Sequence, residues 1–445
     1  MATRKKIIVI GSGLGGLAVA CRLAAHGHDV KLFEKRDRPG GMAGRFEING
    51  FKFDGGPAAV TTPFMFEDIF EAAGKKLNDY VQLTPVEPVY RVFAPHHQAF
   101  DFSSDMDATL RQIEKLDPAD APGYRRYLHD AQQIYKKGFL DLIAQHTLRI
   151  SDIFNLAPDL LKFPPYNSIY RHTGMYVKND FLRQVLSLPT LMSGGSPFNT
   201  PAIYALQNYL QVKWGVHHIH GGFYTIIEAL ANLFKECGGS LWLNSPVSEI
   251  LIEGARVKGV RLADGSLHHA DCIISDADLA YTYHSLINEK YRHKYKNRMI
   301  EKRLFSQSFF VIYFGTRQRY RNSGLAHHNI FLPKQFQSFM QNIFERHILP
   351  QELLLYLHIP TFSDESVAPS GCESFCLMAS VPNRQSGINW DKMARPYRDR
   401  IFQFLEDNYL PGLRSQLIVE HYIDPLYFQN ELNSYQGAAF SLQPS

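Results

Sequence analysis

Lys6-Ile7-Ile8-Val9-Ile10-Gly11-Ser12-Gly13-Leu14-Gly15-Gly16, continuing through Leu17 to Gly27, Asp29 to Phe33 and Glu34, decides the fold. The apolar run Ile7 to Ile10 suits a strand buried on both faces, as in a parallel sheet. Gly11 and Gly13 permit a tight turn and bring backbone close to a pyrophosphate, while Gly16 lets the next helix lie tight on the strand. That helix, predicted over Leu17 to His26, points its free N–H groups and positive dipole end at the phosphates. Gly27 ends it, and Asp29 to Phe33 returns as a second strand. Glu34 then arrives about twenty residues past the glycines, where a carboxylate accepts both hydroxyls of an adenosine ribose. A secretory leader is the rival reading, with Arg4-Lys5-Lys6 as its basic start and Ala18-Val19-Ala20-Cys21 as its cleavage site. Glycines within the supposed apolar region, and a strand behind it, favour the nucleotide unit and a cytoplasmic chain.

The residues after Glu34 separate FAD from NAD. The chain continues Lys35-Arg36-Asp37-Arg38-Pro39-Gly40-Gly41-Met42-Ala43-Gly44-Arg45, then Gly50-Phe51-Lys52-Phe53-Asp54-Gly55-Gly56-Pro57. A second glycine turn directly after the ribose acid gives backbone access to the other side of the pyrophosphate, which an NAD dehydrogenase does not need. The pattern resembles the flavin-binding N-terminus of the amine-oxidase and carotenoid-desaturase superfamily. The expected FAD-binding residues here are Gly11, Ser12, Gly13, Leu14, Gly15, Gly16, Glu34, Lys35, Gly41, Met42, Arg45, Gly56 and Pro57. Met42 stands where the family has an arginine, and Arg45 is expected to substitute from the next turn. Ala58 stands where the family has a threonine after Gly56-Pro57.

With 445 residues the chain is long enough for two or three domains with substantial cores. Its 20% charged and 45% hydrophobic residues are those of a globular protein. The net charge of +4 is too small to imply nucleic acid and is compatible with loose attraction to an anionic membrane surface. Five scattered cysteines give no disulfide framework and fit a reducing compartment. Cys372 and Cys376 lack a second pair to complete a zinc site and read as core residues. Aromatic residues, with 31 Phe and 23 Tyr, suit either a large aromatic core or a long apolar tunnel gripping a substrate with few polar handles. No apolar run approaches the ~20 residues of a membrane span.

The expected fold class is α/β: a discontinuous Rossmann-like FAD-binding domain (1–86 and 217–283), a helical insertion (87–216) and an α+β substrate domain (284–445). The second nucleotide block runs from Gly221-Gly222 through the helix Phe223 to Cys237 and the hairpin at Asp264-Gly265. It ends in Asp271 to Ser275, a strand expected to return to the first sheet. The insertion holds helical stretches at Asp107 to Leu116, Gly123 to His146 and Ser151 to Phe163, mixing Lys and Arg with aromatic residues. A basic amphipathic surface of this kind can lie in a membrane interface or be an ordinary solvated face. Histidine pairs recur at His96-His97, His217-His218, His268-His269 and His327-His328. Neighbours in a strand face opposite sides, which is poor ligand geometry, so no metal is expected.

From the second block onward the motifs resemble bacterial-type phytoene desaturases. They include Val257 to Gly265, Ala270-Asp271-Cys272-Ile273-Ile274-Ser275-Asp276-Ala277-Asp278, Ala326-His327-His328 and Leu355-Tyr356-Leu357-His358-Ile359-Pro360. Ala368 to Cys372, Tyr409 to Leu413 and Tyr435 to Ser441 extend the likeness across the whole chain. The resemblance implies FAD as cofactor, Val247 with its backbone facing the adenine, and desaturation of a C40 (or C30) polyene such as phytoene toward lycopene. It implies work at the inner face of the membrane, with quinone or oxygen as electron acceptor. It marks Asp152 as a candidate catalytic residue near the flavin; the residues themselves also allow a helix N-cap at Ser151 or Asp152. Asn155 stands where relatives have a basic residue. The family's S-A-W-x-R-P stretch and glycine-rich closing segment are missing after Pro444. A second reading is therefore a truncated chain that binds polyene or a partner desaturase without turnover.

Overall fold

The computed structural model describes residues 3–56, 58–95, 99–136 and 167–444. Strand β1 (Lys6–Ile10) lies at the centre of a parallel sheet, flanked by β2 (Asp29–Phe33) and by Cys272–Ser275, with Ser240–Trp242 beyond β2. Its register pairs Ile7 with both Val30 and Cys272, so the distant strand does return to the first sheet. Between β1 and β2 runs helix α1 (Leu14–Ala25), starting three residues earlier than its apolar periodicity suggests. Gly13 supplies the extended N-cap, and so the first-turn N–H groups belong to the glycine loop itself. Leu17, Ala20, Cys21 and Ala24 are buried at helical spacing against the sheet and the helix Tyr224–Glu236. Gly27, at φ +84°, donates to the Ala24 carbonyl and ends the helix.

A three-stranded antiparallel sheet (Val247–Glu253, Arg256–Leu262, Leu267–His269) abuts the nucleotide sheet. A third sheet of seven strands carries the other half of the molecule. Its order is Leu417–Ile423, Ser308–Thr316, Glu373–Val381, Leu355–His358, His328–Phe331, Tyr90–Phe93, Ala99–Phe102. Ser308–Thr316 is buried at every residue and sorts its side chains by alternation. Phe310, Ile312 and Phe314 meet Trp390, Tyr397 and Phe402 of the helix Trp390–Asn408, while Phe309, Val311 and Tyr313 meet Phe51 and Phe53. Much of the aromatic excess therefore sits on the two faces of this sheet.

The segment 87–216 opens with two strands instead of helix. Tyr90–Phe93 pairs in parallel with His328–Phe331, so the sheet joins this segment to the last third of the chain. The strands Tyr90–Phe93 and Ala99–Phe102 have four residues each, too short for a local pattern to reveal, and the parallel partner lies far away in sequence. The rest of the segment's described part is helical, including Met106–Leu116, Ala121–Ile134, Asp180–Ser187 and Leu206–Trp214. Ser151 to Phe163, with Asp152 and Asn155, lies outside the described residues, as do Pro57 and His96-His97. Among the described residues no helix is long and apolar enough to cross a membrane.

Candidate functional site

A cleft of about 680 Å³ opens beyond the C-terminal ends of β1, β2 and Cys272–Ser275, where open α/β sheets leave a crevice. Gly11, at φ +93°, donates to the Phe33 carbonyl (2.8 Å) and turns the chain beneath it. The second glycine turn lies directly on the first: Gly40 N–H donates to Ser12 O (2.9 Å), and Gly13 and Gly40 form a parallel bridge. A Cβ on Gly41 would stand 3.4 Å from the Gly13 Cα. Glu34 is buried, and its carboxylate accepts from Ser12 N–H (2.9 Å), Ser12 Oγ (2.7 Å) and Arg36 N–H (3.0 Å). Lys35 Nζ donates to Asn433 Oδ1 (2.8 Å); burial lowers its pKa, opposed by Glu431 and Glu34.

Gly11, Gly13, Leu14, Gly15, Glu34, Lys35, Gly41, Met42 and Val247 line this cleft. Three other expected residues sit behind it. Ser12 is wholly buried and orients Glu34. Gly16 packs α1 on β1, since a Cβ there would stand 2.1 Å from the Gly11 carbonyl oxygen. Gly56 packs on the Met42 carbonyl, 2.6 Å from where its Cβ would be. Arg45 does not substitute for an arginine at Met42. It opens the strand Arg45–Ile48, whose pairing with Phe51–Asp54 turns it toward the helix Tyr224–Glu236. There its guanidinium donates to Gly221 O (2.6 Å) and lies 4.9 Å from the Tyr224 ring centroid.

Two parts of the cleft wall are not legible in the sequence. The first is Asp276, whose carboxylate oxygens stand 2.5 and 2.6 Å from the Cβ positions of Gly13 and Gly15. Its side chain is water-accessible on the cleft side and enclosed elsewhere. Desolvation, then repulsion from Glu34, push its pKa up to about 6, against the pull of the Gly16 N–H. The Ala270 to Asp278 motif contains this residue, but nothing local says that the strand's end faces the glycine loop. The second is the far wall, Glu431 to Ser434 and Ala439 to Ser441. Left-handed backbone at Asn433, Gln436 and Ser441 helps fold this tail back, and Ala439 N–H donates to Gln307 O (2.9 Å).

A second cavity, about 500 Å³, lies between the large sheet and the helical segment, with Leu188, Leu191, Leu210, Ile330, Leu354 and Met378 among its walls. Among the described residues no Asp, Glu, Lys or Arg lines it. The histidine among its described walls, His328, has its pKa driven down to about 3 by burial and then by His218. Its rim carries Met65 and Met192, both about half exposed. Phe309 of this cavity packs edge-on against Phe440 of the cleft, with centroids 5.8 Å apart, so one aromatic pair stands between the two spaces.

Behind the apolar cavity the histidines converge. Alternation separates neighbours within a strand, but the tertiary fold draws His218, His327 and His358 from three distant segments. One ring nitrogen of each lies within 4.8 Å of the others, and all three side chains are buried. Considering each pair by itself misses this, and no signal along the chain reveals it.

Residues 14–360 match the family of flavin-containing amine oxidoreductases. The chain is 38% identical to a lycopene-forming phytoene desaturase of Pseudescherichia vulneris, over 99% of this chain and 89% of the relative. It is 37% identical to that of Pantoea ananas, with the same coverage of both chains, and 33% identical to a neurosporene-forming phytoene desaturase of Cereibacter sphaeroides, over 99% and 85%. Among solved structures, the PF1083 protein from Pyrococcus furiosus superposes with a TM-score of 0.64 at 16% identity, covering 94% of this chain and 88% of its own. A putrescine oxidase gives 0.63 at 14% identity, covering 96% and 86%. The cleft fits the flavin cofactor that this family implies: the N-terminus of α1 and both glycine turns face the space.

Proposed function

The chain belongs to the flavin-containing amine oxidoreductase family, alongside the bacterial phytoene desaturases, and on that premise we propose that it binds FAD and desaturates a C40 polyene such as phytoene toward lycopene. It is a flavin-dependent oxidoreductase acting on CH–CH groups. The observation that carries the substrate class is the second cavity, whose described walls hold no Asp, Glu, Lys or Arg and which adjoins the cofactor cleft across Phe309 and Phe440. A polyene has no polar handle, so its binding rests on burial at roughly 0.8 kcal/mol per CH₂. A wall without charge loses none of that to stranded ions.

Gly13, Leu14, Gly15 and Gly41 would meet the diphosphate, Glu34 the adenosine ribose and Val247 the adenine. The bound flavin supplies the hydride acceptor at N5. The protein aligns the chain and keeps water out. Asp152 is proposed to stabilise positive charge developing on the polyene. Quinone or oxygen would take the electrons onward.

The substrate would enter from a membrane surface. The apolar rim at Met65 and Met192 supports this reading. So does the neighbouring group in which Phe64 packs on Trp214 and Lys213 lies over the same indole, the mixture found at membrane interfaces. Met65→Asp combined with Met192→Asp is expected to cut liposome co-sedimentation and phytoene conversion at least tenfold, with flavin content unchanged. Full conversion by that variant would overturn membrane entry through this rim. The overall function is tested by expressing the chain in a phytoene-making bacterial host: pigment with conjugated absorption is expected, and uncoloured cells holding soluble, flavin-loaded protein would refute it.

A further inference from the structure

We propose that His218, His327 and His358 form a binding site for a divalent transition cation of the zinc class, held behind the wall of the apolar cavity. Nitrogens bound to one tetrahedral zinc at about 2.0–2.1 Å stand about 3.3 Å apart. His327 Nε2 and His358 Nε2 stand 2.9 Å apart, and one ring nitrogen of each of the three histidines lies within 4.8 Å of the others, close enough to converge on one ion. His327 Nε2 and His358 Nε2 face each other, so that without an ion one of them donates its N–H to the lone pair of the other.

The surroundings have the form of a ligand shell. Metal-bound imidazoles use one nitrogen for the ion and hold the other against a carboxylate, hydroxyl or carbonyl. His327 Nδ1 is 2.9 Å from Ser363 Oγ, and His218 Nε2 is 3.3 Å from Asp364 Oδ2. His218 Nδ1 is left buried with no partner. Asp364 is itself fixed, accepting from Gly221 N–H (2.6 Å) and Ser366 N–H (2.9 Å), and its buried negative charge offsets part of a dication's.

The three histidines come from the strand His217–Ile219, the residue before His328–Phe331, and the end of Leu355–His358. An ion here would fasten the short ribbon leading into Gly221-Gly222 to the large sheet. His328 and Tyr356, hydrogen-bonded at 2.7 Å, stand between it and the apolar cavity. The role is positional, holding the tunnel wall, and binding does not depend on the desaturase reading.

The test uses the full chain carrying its flavin and no histidine tag, loaded with zinc, dialysed against metal-free buffer and measured by inductively coupled plasma mass spectrometry. About one zinc per chain is expected, together with thermal stability that rises with zinc concentration. Cobalt should give the absorption bands of a tetrahedral site to the red of the flavin. His327→Gln and His358→Gln should lose the zinc, and the exposed His220→Gln should keep it. Asp364→Asn, which leaves all three ligands in place, should weaken zinc binding about 10–100-fold. No zinc above the dialysis blank in wild type, or equal zinc in wild type and both ligand variants, would leave a hydrogen-bonded imidazole cluster and overturn the proposal. Flavin content measured on the same samples checks that each variant is folded.

Discussion

Gly16→Ala is expected to give protein that purifies without flavin and melts well below the wild type. Two effects oppose each other. Alanine in place of glycine inside α1 contributes about 1 kcal/mol of helix propensity. Against it, the new Cβ would stand 2.1 Å from the Gly11 carbonyl oxygen and 3.0 Å from Asp276 atoms. The first obstacle is backbone, held because the Ser12 N–H of the same peptide is bonded to the Glu34 carboxylate, so it cannot swing aside as a side chain would. Overpacking ordinarily costs about 1–3 kcal/mol, and a collision with fixed backbone belongs at or beyond the top of that range. Relief comes only by lifting α1 from β1, which moves the N–H groups of Leu14 and Gly15 off the cleft. Gly27→Ala is the control in the same helix unit. Nothing lies within 4 Å of its added Cβ, and its φ of +84° brings only a left-handed penalty of roughly 1–2 kcal/mol. That variant should keep its flavin. Flavin-to-protein absorbance ratios and thermal melts distinguish the two, and stoichiometric flavin in Gly16→Ala would contradict this role for the loop.

The second large effect concerns Asp276 and the pH dependence of flavin binding. Its carboxyl faces the glycine loop that would hold a diphosphate, and its pKa is raised to about 6 by desolvation first and Glu34 second. A phosphate group settling there adds negative charge and removes the water that now reaches the side chain. Both disfavour the carboxylate, so binding takes up a proton. Affinity is therefore highest when Asp276 is already protonated, below pH 6, and falls as pH rises through and beyond that value. Without flavin the same group works in the same direction. Its folded pKa lies above the ordinary 3.8, so its contribution to stability is present at low pH and is lost between about 4 and 6. Asp276→Asn should bind flavin at least tenfold more tightly at pH 8 and flatten the pH profile. Fluorescence titration of FAD across pH 5 to 9 measures both. A wild-type affinity independent of pH, or an unchanged profile in Asp276→Asn, would place the phosphates away from this residue.

The nucleotide unit can be read in the sequence because its demands are local. A strand buried on both faces, a glycine turn that needs left-handed backbone at Gly11 and leaves no space for a Cβ at Gly16, and an acid at a set distance all fall within residues 6–34, and each restricts residue type at its own position. The same holds for Gly40-Gly41, which the structure lays against Gly13. Where two residues meet only through the tertiary fold, the sequence is silent. Arg45 carries a charge of the right kind, but strand pairing gives it to Gly221 and Tyr224 instead of the cleft. Tyr90–Phe93 looks like part of a helical segment until its parallel partner His328–Phe331 is in place.

The sequence by itself determined the glycine turn after β1, the acid Glu34 at the end of β2 and the return of Cys272–Ser275 to the first sheet. Only the tertiary structure decided the placement of Asp276 against three glycines, the apolar cavity beside Phe309, and the meeting of His218, His327 and His358. The physical reason is one of range. Backbone geometry and hydrogen bonding constrain neighbours along the chain, whereas a cavity wall or a ligand cluster is set by how separate elements pack, and packing leaves no periodic trace.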